Sequence, residues 1–542
     1  MSALFAPRNA ALTLSAAALV LCLAVAPWHP VALIPAAVAA ALVVVGLRDL
    51  TQTRQSIRRN YPIMAHLRFF LEEIRPEIRQ YFLENDTDQT PFSRSQRSIA
   101  YQRAKNVLDK RPFGTQADVY APGHEWINHS IAAAHVENHD FRVSIGGPDC
   151  QQPYDASVFN ISAMSFGALS ANAILALNRG AKDGGFAHDT GEGSISRHHR
   201  QHGGDLIWEI GSGYFGCRDA KGGFDAGRFA EQAREPQVRM IEVKLSQGAK
   251  PGHGGVLLGP KVTHEIAEAR GVAPGEDCIS PATHSAFSTP RGLLEFVQKL
   301  RHLSGGKPTG FKLCIGHPWE FLAIARAMLD TGIAPDFIVV DGAEGGTGAA
   351  PLEFTDHVGM PLREGMIFVQ NTLVGIGLRD KVRVGVSGKI VTGFDIARAM
   401  ALGADWCNAA RGFMFALGCI QAQACHTGRC PTGVSTQDAV RQKALVVPDK
   451  AERVRNFHRN TLIALSELVA AAGLRHPSQL KPAHLMRRVS STEIKSAALL
   501  YDFVAPGELL VGTSNIPVFS AYWPAVSADA FALKPRLALA AQ

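Results

Sequence analysis

The stretch D-F-I-V-V-D-G-A-E-G-G-T-G-A, residues 336–349, decides the fold. Four β-branched or aromatic residues run together, end on Asp341 and give way at once to a glycine-dense loop. A short continuous apolar run reads as a strand buried on both faces. Dense glycine after it lets the backbone approach a planar or anionic ligand. Similar runs recur as VFNISAM (158–164), IEVKL (241–245), CISP (278–281), GFKLCIG (310–316), VRVGVSG (382–388) and DWCNAARG (405–412). A less regular one is GFAHDTGEG (185–193). Helix-length segments separate most of them. Eight strands alternating with helices predict an α/β protein, a parallel (β/α)8 TIM barrel. A doubly wound open sheet is the other fold with this alternation.

Such barrels place their chemistry at the carboxyl ends of the strands. Polar residues gather there: Lys244, Gln247 and Lys250 in and after one run, Lys312 within another, Asp341 at the end of the quoted one. Any one of them alone is a solvated loop charge; together they outline a site. Gly345 and Gly346 follow Asp341, and two later strand ends also carry glycine, at Gly388 and Gly412, beside Lys389 and Arg411. The last strands of these barrels commonly bind phosphate. A phosphate-bearing cofactor such as FMN is the expectation, against ordinary turn glycines. Gly211-Ser-Gly213-Tyr-Phe-Gly216 matches a dinucleotide fingerprint in letters. The CRDAKGGFD that follows reads as a turn where that motif needs a helix.

Composition narrows the class. The chain has 542 residues, 46% hydrophobic and 19% charged, as in a globular protein. A net charge of +7 without a lysine-rich stripe gives no support to nucleic acid as a partner. Nine cysteines are odd in number and scattered, which is no disulfide framework. Three of them crowd together as C-x5-C-x4-C: Cys419, Cys425 and Cys430, the last followed by proline. Zinc would want C-x2–4-C pairs and a fourth ligand. Three thiolates near a proline suit an iron–sulfur cluster lacking one iron corner, the [3Fe–4S] type. Structural cysteines and zinc are the alternatives, and Cys407 is a conceivable fourth ligand. His198, His199 and His202 form a second polar cluster, read more simply as a loop than as a zinc site.

The N-terminus is different in texture. Residues 10–26 and 31–47 are apolar, separated by Pro-Trp-His-Pro and followed by Arg48, Arg54, Arg58 and Arg59. Each run makes a helix of about 26 Å, near the lower limit for crossing a membrane. A signal peptide is the rival, but the second run and the late arginines favour a hairpin with both ends in the cytoplasm. The expectation is an inner-membrane tether and a cytoplasmic catalytic domain. The predicted organisation is two transmembrane helices over 1–50, a helical connector or cap over 51–155, an FMN-binding barrel with an iron–sulfur loop over 156–440, and a C-terminal helical extension and tail over 441–542.

Several blocks together, in order, resemble the FMN-binding synthase domain of the glutamate synthase family, in particular stand-alone, membrane-tethered relatives. They are MSFGALS (164–170), DTGEGS (189–194), KLSQGAKPGHGG (244–255), ISPATH (279–284), DGAEGGTGAAP (341–351), NTLVGIGLRDKVRV (371–384) and CHTGRCPTGVSTQD (425–438). The resemblance implies FMN in the barrel and a [3Fe–4S] cluster on Cys419, Cys425 and Cys430. It implies a reaction in which reduced FMN gives hydride to 2-iminoglutarate, formed from 2-oxoglutarate and ammonia, with electrons from ferredoxin or a similar donor. By position it places Lys244, Gln247, Lys250 and Glu192 on the substrate and flavin face. Ser165 and Lys312 match flavin-contacting positions. Three departures stand out. Met1-Ser2 supplies no nucleophile cysteine for a glutaminase domain, so free ammonia, a partner subunit or a different imine is expected. Ser387-Gly388-Lys389 stands where the family has an acidic-Gly-Gly turn, and His253 replaces a common acid. A dehydrogenase of another amino or imino substrate, a barrel like IMP dehydrogenase without a cluster, and a membrane electron-transfer subunit without turnover are the rival readings.

Overall fold

A computed structural model describes residues 7–87, 91–512 and 514–533. They form two compact units, residues 1–88 and 89–542. In the first, helix α1 (Ala10–Val25) and helix α2 (Leu33–Thr51) pack against each other, followed by α3 (Ser56–Asn60) and α4 (Met64–Ile78). The helical stretches Pro7–Val25 and Pro30–Thr51 are long and apolar enough to cross a membrane. Gly46 lets the helices approach: a Cβ there would lie 2.6 Å from the Leu12 Cδ1 atom.

The second unit is built on a closed barrel of eight parallel strands. In chain order they are β1 (Phe159–Ile161), β2 (His188–Asp189), β3 (Leu206–Ile210), β4 (Val238–Lys244), β5 (Thr309–Leu313), β6 (Phe337–Asp341), β7 (Arg383–Ser387) and β8 (Trp406–Ala409). Each strand pairs with its neighbour in sequence, and β8 closes on β1. β3 and β5 are buried at every residue, because helices cover the outside and side chains fill the inside.

The strand expectation needs one correction. CISP is outside the barrel: Cys278–Ile279 pairs antiparallel with Val256–Leu257. The missing barrel strand is β3, directly before Gly211. The strand that a dinucleotide fingerprint wants is therefore present, but its helix is not. Turns and an isolated bridge fill residues 211–225. The segment read as a helical connector also divides. It is helical through α5 (Arg94–Ala104), and residues 105–155 then carry short strands. One of these, Glu125–Ile127, joins a three-stranded sheet with Leu485–Arg488 and Ile494–Ser496 from the C-terminal region.

The barrel wall rests on its outer helices. Helix α6 (Ala171–Gly184) is capped by the Ser170 hydroxyl, which accepts from the Ala173 N–H at 3.2 Å. It lies along α8 (Val447–Ala471), the long helix of the C-terminal region; the short α7 (Arg411–Leu417) lies between β8 and the cysteine loop. Gly180 is the point of closest approach of α6 and α8. A Cβ there would sit 2.6 Å from Val454 Cγ1 and 2.7 Å from the Ala451 carbonyl oxygen. Gly180→Ala should therefore cost about 1–3 kcal/mol by overpacking and lower the thermal midpoint. Gly316→Ala, where nothing lies within 4 Å, should change it little; melting curves of the two variants check both.

Candidate active site

The carboxyl ends of the strands open into two adjoining cavities. The larger, about 390 Å³, is lined by Ser165, Glu192, Lys244, Gln247, Lys250 and Arg270 among others. The smaller, about 60 Å³, is lined by Lys312, Asp341, Gly345, Gly346, Gly388 and Arg411, with Phe92 on one wall. Ala163, Gln247, Gly346, Ala410 and Arg411 belong to both walls. Of the sequence-derived residues, Gly412 alone faces elsewhere: it is buried in the first turn of α7, against Phe457.

Glu192 is the charge centre of the larger cavity. Its Oε2 accepts from Lys244 Nζ at 3.1 Å. Burial works against its ionisation, but the ammonium of Lys244, the guanidinium of Arg270 and the ammonium of Lys250 outweigh it and hold the carboxyl down at about 2. Burial lowers the Lys250 pKa, with Glu192 opposing and Lys244 adding to the effect. Behind Lys244, His284 Nε2 donates to the Lys244 carbonyl at 2.8 Å, and its Nδ1 accepts from the Tyr214 hydroxyl at 3.1 Å. Burial pushes this imidazole down to about 4, so it stays neutral and holds that tautomer. Lys244, Lys250, Lys261 and Arg270 face the cavity against Glu192 and Glu209. A small molecule with two carboxylates matches such a wall.

The smaller cavity suits a planar, phosphate-bearing ligand. Gly346 lies against the Arg411 guanidinium, where a Cβ would come within 3.0 Å. Arg411 Nη2 donates to the Thr347 carbonyl at 2.7 Å, holding the glycine loop over the end of β8. Lys389, in the left-handed region at φ 51°, adds a second positive charge. Glycine backbone, two cations and an aromatic wall together fit FMN.

The three cysteines of the C-x5-C-x4-C run line one small cavity of their own, with Met414, Pro431, Thr432 and Ser435. Cys425, Met414 and Ser435 also line the larger cavity. Burial raises the Cys419 thiol to about 11. At Cys430 burial acts the same way, but hydrogen bonds from the Thr432 hydroxyl and from the Ser435, Thr432 and Val434 backbone outweigh it and lower the pKa. The Lys261 ammonium donates to the Cys425 carbonyl at 3.0 Å and the Tyr101 hydroxyl to the Cys419 carbonyl at 2.6 Å, tying the loop down at two points. Three cysteines in one lining that holds no carboxylate or imidazole fit an iron–sulfur cluster better than zinc. Cys407 is fully buried within β8, away from this cavity. The histidine cluster is accounted for locally: His198 meets Glu265 at 2.9 Å, and His199 caps its own short helix through Ser196.

Sequence reasoning missed Arg270, Lys261 and Glu209. Arg270 is buried, and its Nη2 donates to the Phe166 carbonyl at 3.1 Å. It comes from a helix in the excursion between β4 and β5, so no strand-end rule points to it. Glu209 and Glu242 did leave a signal, as lone acids inside apolar runs.

Comparison with known proteins agrees with this arrangement. The family model described as a conserved region in glutamate synthase matches residues 140–475. The chain is 37% identical over 500 residues to the glutamate synthase large subunit-like protein YerD of Bacillus subtilis (strain 168), a match covering 85% of this chain and 95% of that one. It is 35% identical over 322 residues to the archaeal glutamate synthase (NADPH) of Methanocaldococcus jannaschii, covering 59% of this chain and 60% of that one. The archaeal-type enzyme of Thermotoga neapolitana is 35% identical over 314 residues, 58% of this chain and 59% of that one. The chain thus spans about three fifths of these two relatives. Among solved structures, a mutant flavocytochrome b2 with pyruvate bound gives a TM-score of 0.41 at 12% identity, covering 80% of this chain and 91% of that one; the score is too low to carry an argument.

The depressed carboxyl of Glu192 makes a stability prediction. A carboxyl lowered from 4.5 to about 2 contributes stability that is present above the unfolded pKa and lost as pH falls through the folded one. Glu192→Gln should cost about 1–3 kcal/mol at pH 7. The gap to the parent should narrow between about pH 4.5 and pH 2; urea unfolding across that range measures it.

Proposed function

Because the chain belongs to the glutamate synthase family, we propose that it is an oxidoreductase of that type, which reduces an imino dicarboxylate such as 2-iminoglutarate to the amino acid. The observation that carries this reading is the shared wall of three cavities. A small glycine-lined cleft, a larger cationic cavity and a three-thiol pocket adjoin in that order. FMN held by Gly345, Gly346, Gly388, Lys389 and Arg411 would supply hydride, and a [3Fe–4S] cluster on Cys419, Cys425 and Cys430 would pass electrons singly.

The chain's own residues do the rest. Lys250 and Arg270 neutralise the substrate carboxylates and exclude monoanions by leaving one cation unpaired. Lys244, bonded to Glu192, would donate the proton that the imine nitrogen needs on reduction. Glu192 orients that ammonium through their 3.1 Å contact. Gln247 fixes the ligand edge where the two cavities meet, Ser165 lines the larger one, and Lys312 with Asp341 closes the floor of the smaller one.

The reductant proposed is ferredoxin or a similar one-electron donor, and the amino nitrogen comes from ammonia. Ala422, Gln423, His426 and Arg429 of the cysteine loop are exposed, so the thiol pocket lies just beneath the surface and open to such a donor. The proposed location is a cell membrane, with α1 and α2 as a hairpin tether; Arg48, Arg54 and Arg59 and the barrel would all lie on the cytoplasmic side.

Anaerobic purification should give a brown protein with about one FMN and about three irons per chain. Cys425→Ser should lose the iron and keep the flavin. The reduced enzyme should be reoxidised by 2-oxoglutarate with ammonia. Full iron content in Cys425→Ser would overturn the ligand assignment, and reoxidation by no keto acid with ammonia would overturn the activity.

A further inference from the structure

Helix α4 presents two unlike faces. Ala65 is buried and Phe69 half-buried, with the Arg58 guanidinium 4.7 Å above the Phe69 ring; this face packs on its own unit. The other carries Leu67, Phe70, Leu71, Ile74 and Ile78, at the i, i+3, i+4, i+7 spacing of one helical stripe. Leu67 and Phe70 are each 54% exposed, Ile74 and Ile78 are half-buried, and Phe82, in the π-helical turn Arg79–Leu83 that follows α4, is 82% exposed. Such a stripe left in water is unfavourable. Arg68, Arg75 and Arg79 follow at i, i+7 and i+11, which stacks them in a row along one border of the stripe. The helix's acids, Glu72, Glu73 and Glu77, fall outside it, and Glu72 is held by Arg68 at 2.9 Å.

The start of α4 is fixed at one end of the apolar hairpin. Asp49, buried in the last turn of α2, accepts from the Ile63 N–H at 3.0 Å and meets His66 Nε2 at 3.0 Å. Ile63 itself sits at φ 67°, a conformation that a β-branched residue adopts only under constraint. Its Cδ1 lies beside Gly46 of α2, as does the Cδ1 of Leu12 from α1. The joint therefore places the exposed stripe at the end of the hairpin where Arg48 marks the limit of the apolar span.

We propose that α4 is an interfacial helix that lies in the headgroup layer of an anionic bilayer. The stripe from Leu67 to Phe82 enters the acyl boundary, and Arg68, Arg75 and Arg79 extend to lipid phosphates. Arg54 and Arg59, both exposed, add to the same basic surface. This rests on the membrane tether proposed above. The helix then sets how the chain leaves the membrane, where a flexible linker would leave it free to swing.

The test uses the full chain in vesicles of phosphatidylcholine and phosphatidylglycerol. p-Benzoyl-phenylalanine substituted for Phe70 or Leu67 should form lipid adducts on illumination, and the same probe at Glu73 should not. Phosphatidylglycerol should be enriched in the adducts about threefold or more over its share of the bilayer. Arg68→Gln, Arg75→Gln and Arg79→Gln together should abolish that enrichment. Cross-links from position 70 to protein, an equal lipid yield at 73, or no phosphatidylglycerol enrichment overturns the proposal. A probe at Val38, within α2, separates the two readings. Lipid adducts at 38 with none at 70 sink the interfacial helix alone, and none at either sinks the tether.

Discussion

The second unit depends on a buried ion network inside its barrel. Four consecutive strands each contribute one charged side chain: Asp189 from β2, Glu209 from β3, Glu242 from β4 and Lys312 from β5. Lys312 Nζ donates to Glu209 and lies 3.4 Å from Glu242. Register puts Glu209 directly opposite Glu242. Oxygens of the three acids lie within 4.8 Å of one another, close enough to hold a metal ion; the lysine ammonium takes that place. Burial works against the ammonium, but the three carboxylates outweigh it and hold its pKa well above the ordinary value. One cation cannot neutralise three anions. Burial therefore pushes Glu242 well up, and burial with the charge of Glu209 pushes Asp189 up to about 7. Removing one partner from such a set leaves an uncompensated charge, which costs several kcal/mol. A slip of one residue in any of the four strands would turn its charge out of the set. The network is thus a register lock as well as an electrostatic one.

The same lysine ties the lock to the site. Lys312 lines the smaller cavity, and Glu209 lines the larger one. The floor of both is therefore fixed by the barrel interior, and loops supply only the walls. That division explains the charge pattern. The floor is acidic and balanced only in part by Lys312, whereas Lys244, Lys250 and Arg270 on the walls have Glu192 as their shared counter-ion. An anionic ligand completes the wall without disturbing the floor.

The barrel was largely legible because parallel strands buried on both faces write themselves as short apolar runs ending in Gly, Ser or Asp. It was misread where that rhythm broke. Between β2 and β3 the connection holds only the four-residue helix Arg197–Arg200, so β3 followed too soon to fit the expected spacing. Cys278–Ile279 filled the gap on paper because a two-residue antiparallel pair ends in the same Ser-Pro punctuation. Lys244, Gln247, Lys250 and Glu192 were reached through strand ends and family blocks together. Arg270 arrives at the cavity through the path of a long excursion, which local pattern does not encode. The cysteine run was legible as a ligand set, but its closeness to the substrate cavity was not, since that depends on how α7 leaves β8.

The glycine loop that first marked the fold also explains how substrate and cofactor sides are joined. Gly248 approaches the Gly342 carbonyl so closely that a Cβ would lie 1.9 Å from the oxygen. The Gly248 N–H donates to Asp341 Oδ2 at 2.8 Å, and the Ala249 N–H to the Ala343 carbonyl at 3.1 Å. Ala249 takes φ 65° to do so. The loop bearing Gln247 and Lys250 is thus laid backbone to backbone on the loop bearing Gly345 and Gly346. Two separate loops at a barrel mouth would each be free to order alone. Joined through Asp341, the two loops are held against each other by backbone hydrogen bonds. That is why the backbone contact requires glycine at 248, and why Asp341 serves the site by its hydrogen bonds more than by its charge.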